Sequence, residues 1–286
     1  KTPGQAASEA EHTLEAALAR AALFQGKTLS YRPVAGGISN PNFRVTTAED
    51  GKHYFVKIPG AGTEMFIDRA AAFDASRKAA AQGVGPRVYD DLYEDGIEIN
   101  DFMSDRRSCT NTDFGQPGPR LAAIEAYRAF HAVAPLSLTK TVFDMIEEHD
   151  RQITELGGWR PPDYPWLMDQ YRMARRALEA SGLDLVPCFN DPMAGNFMIG
   201  SDGSIMLIDY EYASMNDRCY DFGIWFGEMF FSREIEMELL EAYFGSVSEQ
   251  TYARVIVHKA LADIKWAFWS YVQQRVSQLD FDFFKY

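Results

Sequence analysis

A chain of 286 residues with 47% hydrophobic and 24% charged side chains can form one large domain or two lobes, and its composition is ordinary for a soluble globular protein. The net charge of -13 argues against a nucleic-acid partner, which would need a basic surface, and no apolar run is long enough to span a bilayer. Cys109, Cys188 and Cys219 are scattered, with no CxxC or Cys/His cluster, so neither a zinc site nor a disulfide framework is expected. The five histidines show no metal-ligand spacing, the first residues carry no signal-peptide pattern, and a cytoplasmic location is the natural reading.

In chain order, Ser8-Glu9-Ala10-Glu11 has the form of a capping box and opens a helix to about Leu23, with Leu14, Leu18, Ala21 and Ala22 on one face. A strand is expected near Leu29 to Val34, then the loop Ala35 to Asn42, then alternating Phe43 and Val45. Asp50-Gly51 between alternating runs is a hairpin signal leading into His53 to Ile58. A helix follows over about 66–81, ending at Gly83, and two short strands fit Arg87 to Leu92 and Ile97 to Phe102. The first hundred residues therefore predict a small antiparallel sheet with one inserted helix. Residues 104–118 are polar and bear Gly and Pro, like a lobe connection. Beyond them helices are expected at about 119–133, 142–156, 164–181, 218–231, 233–244 and 249–278, interrupted by short strands and loops. The expected division is 1–103 as a nucleotide-binding lobe and 104–286 as a mainly helical catalytic and acceptor-binding lobe. Nothing in the pattern sets an oligomeric state.

The interruption carries chemistry. Asp191 is followed by Asn196 five residues on, and Asp209 closes the apolar run Ile205 to Ile208. That spacing matches phosphoryl transfer on a kinase-type scaffold, where a carboxylate meets the substrate hydroxyl and two oxygen ligands hold Mg²⁺ against nucleotide phosphates. Asp191 is then the base, and Asn196 and Asp209 are the metal ligands. The turn Gly200-Ser201-Asp202-Gly203 would fold Asp209 back beside Asn196. Asp and Asn are also common turn residues, so a plain loop accounts for the spacing equally well.

Other positions gain weight from their order. Gly36-Gly37 between two strands can approach phosphate closely, with Ser39 and Asn40 as donors; a plain Gly turn is the alternative. Lys57 lies on the strand after that loop, where a kinase Lys reaches nucleotide phosphates; a solvent-facing Lys is the alternative. The absence of GxxxxGK[ST] excludes a P-loop ATPase. Asp217 is placed as a helix N-cap, and Asp221 as a structural anchor for the catalytic-loop backbone. Trp266 and Trp269 share a helix face and, with Tyr212, Trp225 and Glu228, can frame a cationic headgroup; a core stripe is the alternative. Phe268, Tyr271 and Val272 are expected in the core.

Together these residues resemble the choline/ethanolamine kinase family, within the wider aminoglycoside-phosphotransferase-like kinases. The strongest segment is Ile208-Asp209-Tyr210-Glu211-Tyr212 through Asn216, Arg218, Asp221, Gly223 and Glu228. Phe189-Asn190-Asp191 to Asn196, Gly36-Gly37-Ile38-Ser39-Asn40 and Trp266-Ala267-Phe268-Trp269 are similar to further family motifs, in the family's order. The resemblance implies an α+β, two-lobed protein-kinase-like fold with a small antiparallel β N-lobe, one helix in it, and a larger mainly α C-lobe. It implies Mg²⁺-ATP chemistry with Asp191 as base, Asn196 and Asp209 on the metal and Lys57 at the phosphates. Tyr212, Glu228, Trp266 and Trp269 would surround an amino-alcohol.

Three departures stand out. Phe189 replaces the family His, Trp225 stands where the family usually has another residue, and Arg69-Ala70-Ala71-Ala72 lacks the Glu that usually pairs with the Lys. Asp74 is then the nearest carboxylate on that helix. The expected function is an ATP- and Mg²⁺-dependent O-kinase for choline or a related amino-alcohol. Thiamine or an aminoglycoside is an alternative acceptor. A pseudokinase-like binding protein is the alternative from another class, favoured by Phe189 and the missing Glu.

Overall fold

The computed structural model describes residues 1–35, 40–60, 62–90, 92–277 and 281–285, so Gly36, Gly37 and Ser39 lie outside the described residues. The elements run α1 (Glu9–Arg20), β1 (Leu29–Pro33), β2 (Asn42–Thr47), β3 (His53–Lys57), α2 (Arg69–Gln82), β4 (Val88–Tyr89), β5 (Glu98–Asp101) and β6 (Arg106–Ser108). They continue with α3 (Asn111–Phe114), α4 (Pro117–His131), α5 (Val142–Glu155), α6 (Tyr164–Ala180), β7 (Leu185–Cys188), β8 (Phe197–Gly200) and β9 (Ile205–Leu207). The chain closes with β10 (Ser214–Asp217), α7 (Arg218–Met229), α8 (Arg233–Phe244) and α9 (Glu249–Val276). This is an α+β fold. It divides into two compact units, one of Lys1–Cys109 with Gly195–Glu211, the other of Thr110–Ala194 with Tyr212–Tyr286. The β8–β9 hairpin thus groups with the first hundred residues rather than with the helices around it in sequence. Among the described residues no helix is long and apolar enough to cross a membrane.

In the first unit, Ser8 accepts from the Glu11 N–H at 3.3 Å and opens α1 as its motif predicts. The helix stops before Leu23, because Ala21 turns extended and a 3₁₀ turn follows over Ala22–Phe24. Leu14, Leu18 and Ala21 are buried as expected, while Ala22 faces solvent. The sheet has the antiparallel order β1-β2-β3-β5-β4. One core joins Leu14 and Leu18 of α1 to Phe43, Val45, Tyr54, Val56 and Ile99 of the strands. Helix α2 begins at Arg69 rather than near 66, since Asp68 takes the capping position and accepts from the Ala71 N–H at 3.0 Å. Gly83, left-handed at φ 77°, ends it. The strand expected over 87–92 shrinks to Val88–Tyr89.

The stretch 104–118 is more than a connection. It contains α3, and β6 pairs with β8, which pairs with β9 in a three-stranded sheet. Arg106 fixes that sheet by donating to the Ser204 carbonyl at 2.8 Å.

The second unit is mainly helical and centred on α9, which packs against α5, α6 and α7. Phe268 and Val272 are buried there as expected, and Tyr271 is half-buried with its ring 5.4 Å from Trp159. The seam with α7 has two fastenings. At the start of α7, Asp217 accepts from the Cys219 N–H at 3.0 Å as its N-cap, and Arg254 and His258 of α9 face the same carboxylate. Burial pushes the Asp217 pKa up, but His258 and Arg254 beside it outweigh that and hold the carboxyl well below the usual range. Nearly two turns on, Gly223 lets the backbones meet, since a Cβ there would stand 2.7 Å from Lys259 N and 3.0 Å from the Val255 carbonyl oxygen.

The three cysteines are thiols, all buried. Burial raises the pKa of Cys188 well above its ordinary value and that of Cys219 to about 12.

The close approach at Gly223 sets the sign of a substitution. Ala is the better helix former by about 1 kcal/mol, so Gly223→Ala would stabilise an uncrowded helix. Against the α9 backbone it is expected instead to destabilise by about 1–3 kcal/mol or more, read as a lowered midpoint in thermal or urea unfolding. A raised midpoint would contradict the seam.

Candidate functional site

Within the first unit the β8–β9 hairpin does what its turn predicts. Gly203, at φ 79°, reverses the chain, Phe197 pairs with Leu207, and the Ile208 N–H donates to the Asn196 carbonyl at 3.0 Å. Asn196 and Asp209 are thereby brought to the same end of the hairpin. Asp209 is left-handed at φ 68°, a conformation Asp tolerates better than most side chains and one that clusters at functional positions.

Lys57 reaches this end from β3. Its Nζ lies 2.9 Å from Asp209 Oδ1, 3.0 Å from Glu211 Oε1 and 3.5 Å from Glu98 Oε2. Burial alone would lower its pKa, but Asp209, Glu211 and Glu98, in that order, hold it well above an ordinary lysine. Asp74, the nearest carboxylate on α2, is not among these carboxylates; it pairs with Lys78 at 2.7 Å, one turn along its own helix. Glu98 takes the place of the missing helical Glu, because it is directly opposite Lys57 in the β3–β5 pairing. Sequence reasoning missed Glu98 and Glu211 as partners. A lone acid between Ile97 and Ile99 was the available signal.

Asn40 is placed beside the cluster. Its Nδ2 donates to Glu211 Oε1 at 2.8 Å and its Oδ1 accepts from the Gly60 N–H at 2.9 Å. Three carboxylates around one lysine leave surplus negative charge. Glu211 registers it: burial raises its pKa, Lys57 lowers it, and Asp209 and Glu98 raise it again. Oxygen donors with excess negative charge suit a hard divalent cation such as Mg²⁺, and the lysine suits phosphate.

The second unit holds Asp191, Tyr212, Glu228, Trp266 and Trp269. The backbone leading into Asp191 is anchored by Asp221 of α7, as expected. Its two oxygens accept from the Phe189 and Asn190 N–H groups at 2.7 Å each, and the His131 Nε2 lies 3.0 Å from it. Asn190 is left-handed at φ 63° and fully buried. Its amide donates to the Tyr212 carbonyl and Ser214 Oγ, both at 2.8 Å, and accepts from Asn216 at 3.1 Å. This network, with Asp221, fixes the loop on which buried Asp191 sits. Phe189 fills its position by packing, with its ring edge-on to Phe130 at 6.4 Å.

On α9 the Trp266 and Trp269 rings are 5.5 Å apart at 82°, and Tyr212 meets Trp266 at 5.6 Å. Trp269 is buried and also touches Phe283, whereas Trp266 is half-buried. Glu228 is half-buried on α7; burial first and Asp263 second raise its pKa, and Lys265 lowers it. Trp225 does not join this group. It is fully buried, edge-on to Phe114 and Phe231 at 5.4 and 5.3 Å, and belongs to the core. Sequence reasoning also missed Lys265, whose Nζ lies 4.5 Å from the Tyr212 ring centroid and 2.9 Å from that of Trp266.

The family model described as choline/ethanolamine kinase matches residues 31–286. Ethanolamine kinase 1 of Mus musculus is 26% identical over 271 residues, spanning 81% of this chain and 73% of that protein. A choline/ethanolamine kinase family protein from Mesorhizobium loti superposes with a TM-score of 0.82 at 28% identity, over 96% of this chain and 90% of that one. The choline kinase LicA from Streptococcus pneumoniae gives 0.80 at 25% identity, over 96% and 95%.

The anchoring by Asp221 is open to test. In Asp221→Asn one oxygen becomes an NH₂, and a buried backbone N–H at Phe189 or Asn190 loses its acceptor, at a cost of about 1–3 kcal/mol. Urea unfolding is expected to show that loss, with faster amide hydrogen exchange at those two residues. Unchanged exchange there would remove the anchor.

Proposed function

The chain belongs to the choline/ethanolamine kinase family, phosphotransferases acting on alcohol groups, and on that premise we propose that it transfers the γ-phosphoryl group of ATP to the hydroxyl of a small amino-alcohol. The observation that carries the reading is the set of two built groups. One is Lys57 among oxygen donors; the other is buried Asp191 on a fixed loop in the same unit as an aromatic cluster bearing Glu228.

Asp191 accepts or orients the proton of the acceptor hydroxyl, so that the oxygen attacks phosphorus in line. Lys57 holds phosphate oxygens, with Gly36, Gly37, Ser39 and Asn40 as the phosphate-covering loop. Asn196 and Asp209 hold Mg²⁺, and what the bound ion supplies is neutralisation of phosphate charge. Tyr212, Trp266 and Trp269 offer π-faces to the acceptor ammonium, each worth about 0.5–2 kcal/mol, and Glu228 offers a carboxylate. The two departures that favoured a protein without turnover are both compensated. Phe189 packs on Phe130, and Glu98 pairs with Lys57, which supports an active kinase.

The test is ATP consumption with Mg²⁺ and a panel of ethanolamine, choline, thiamine and an aminoglycoside, with product mass measured. One added phosphoryl group on an amino-alcohol is expected. Phosphorylation of thiamine or the aminoglycoside alone overturns the acceptor assignment. Asp191→Asn is expected to cut turnover by roughly 10²–10⁴-fold while ATP still binds; turnover near wild type would remove it as base.

For the metal, Asp209→Ala is expected to abolish Mg²⁺-dependent nucleotide binding in calorimetry while circular dichroism stays native. Unchanged affinity with unchanged metal dependence would refute the assignment.

A further inference from the structure

Lys265 breaks the pattern of its helix. It lies on the buried stripe of α9 with Leu261, Phe268 and Val272, and only 1% of it is exposed. Its Nζ has no hydrogen-bond partner and no ion pair among the described residues. It stands 4.5 Å from the Tyr212 centroid and 2.9 Å from the Trp266 centroid. An apolar residue would fill a core stripe without leaving a buried amine unsatisfied. The amine instead stands against two of the rings assigned above to the acceptor's ammonium.

We infer that Lys265 selects the acceptor: with its amine lodged against Tyr212 and Trp266, the site takes an amino-alcohol whose nitrogen carries at least one hydrogen and turns away a quaternary trimethylammonium. This rests on the amino-alcohol reading of the same site and narrows it to ethanolamine and its N-methyl derivatives.

Two cations cannot share one aromatic face without strong repulsion. Burial drives the Lys265 pKa well below that of an ordinary lysine; Asp191, Glu228 and Glu148 pull it up, and Lys140 pushes it down. A buried amine with no hydrogen-bond or ion-pair partner among the described residues costs least uncharged, and it then has one lone pair to give. An acceptor nitrogen with N–H donates to it and keeps its positive charge for Glu228. A quaternary nitrogen has no hydrogen to donate, leaves the buried lone pair unpaired, and brings a methyl group into space the Nζ already fills.

The test compares kcat/KM for ethanolamine, N-methylethanolamine, N,N-dimethylethanolamine and choline. In the wild type the first three are expected to be used, with a fall of about tenfold or more at the last methyl group. Lys265→Ala opens the space and is expected to raise the choline-to-ethanolamine ratio by about tenfold or more. Lys265→Met keeps the side-chain length, loses the lone pair, and is expected to lower kcat/KM for ethanolamine more than for choline. Where the Ala variant does not fold, the Met variant and the wild-type series decide. A wild type that uses all four acceptors alike, or a ratio unmoved in the folded variants, overturns the inference while the amino-alcohol reading stands. No turnover of any of the four by wild type overturns the acceptor reading and the inference with it.

Discussion

The approach of α7 to α9 at Gly223 governs the arrangement of the second unit. α7 carries Asp217 at its N-cap, Asp221 one turn in and Glu228 near its end. Because α9 is held against it by Arg254, His258 and the absent Cβ of Gly223, the aromatic cluster and the Asp221 anchor share one frame. Asp221 then fixes Phe189 and Asn190, and through them the loop of Asp191. A hydrogen-bonded loop and a cluster of rings are thus positioned by one helix pair, the rigid support that a preorganised site requires.

In the first unit the corresponding constraint is electrostatic. Lys57 is buried, and burial alone would discharge it. Glu98 across the strand pair, and Asp209 and Glu211 after the hairpin, keep it charged. No single one is indispensable to that charge in the way a lone helical Glu would be, since three carboxylates share the task. The cross-strand pairing also explains how α2 can be so rich in alanine on its first turns. The helix packs there and does not supply a counter-charge.

Much of this was legible in the residues. Asn196 and Asp209 were expected at one place because a Gly-bearing turn divides two short apolar runs, and the hairpin pairing puts them there. The Asp221 anchor and the Asp217 cap were legible because an Asp in those settings has few other uses. What escaped was set by register and side-chain direction. Glu98 matters only once β5 is known to lie beside β3, which no local pattern specifies. Trp225 shares a helix with Glu228, yet it points into the Phe114 and Phe231 core. Lys265 precedes Trp266 by one residue, and its place on the apolar stripe with Leu261 and Phe268 was the overlooked oddity. Boundaries shifted where a side chain took the capping role, as Asp68 did for α2.

The buried thiols have a use of their own. Cys109 lies in one compact unit and Cys188 and Cys219 in the other. A buried thiol reacts slowly with alkylating reagents until the surrounding structure opens. The chain therefore carries its own chemical clocks, one in the first unit and two in the second. The order in which they are labelled under mild denaturant records which unit opens first, with no cysteine introduced into the protein.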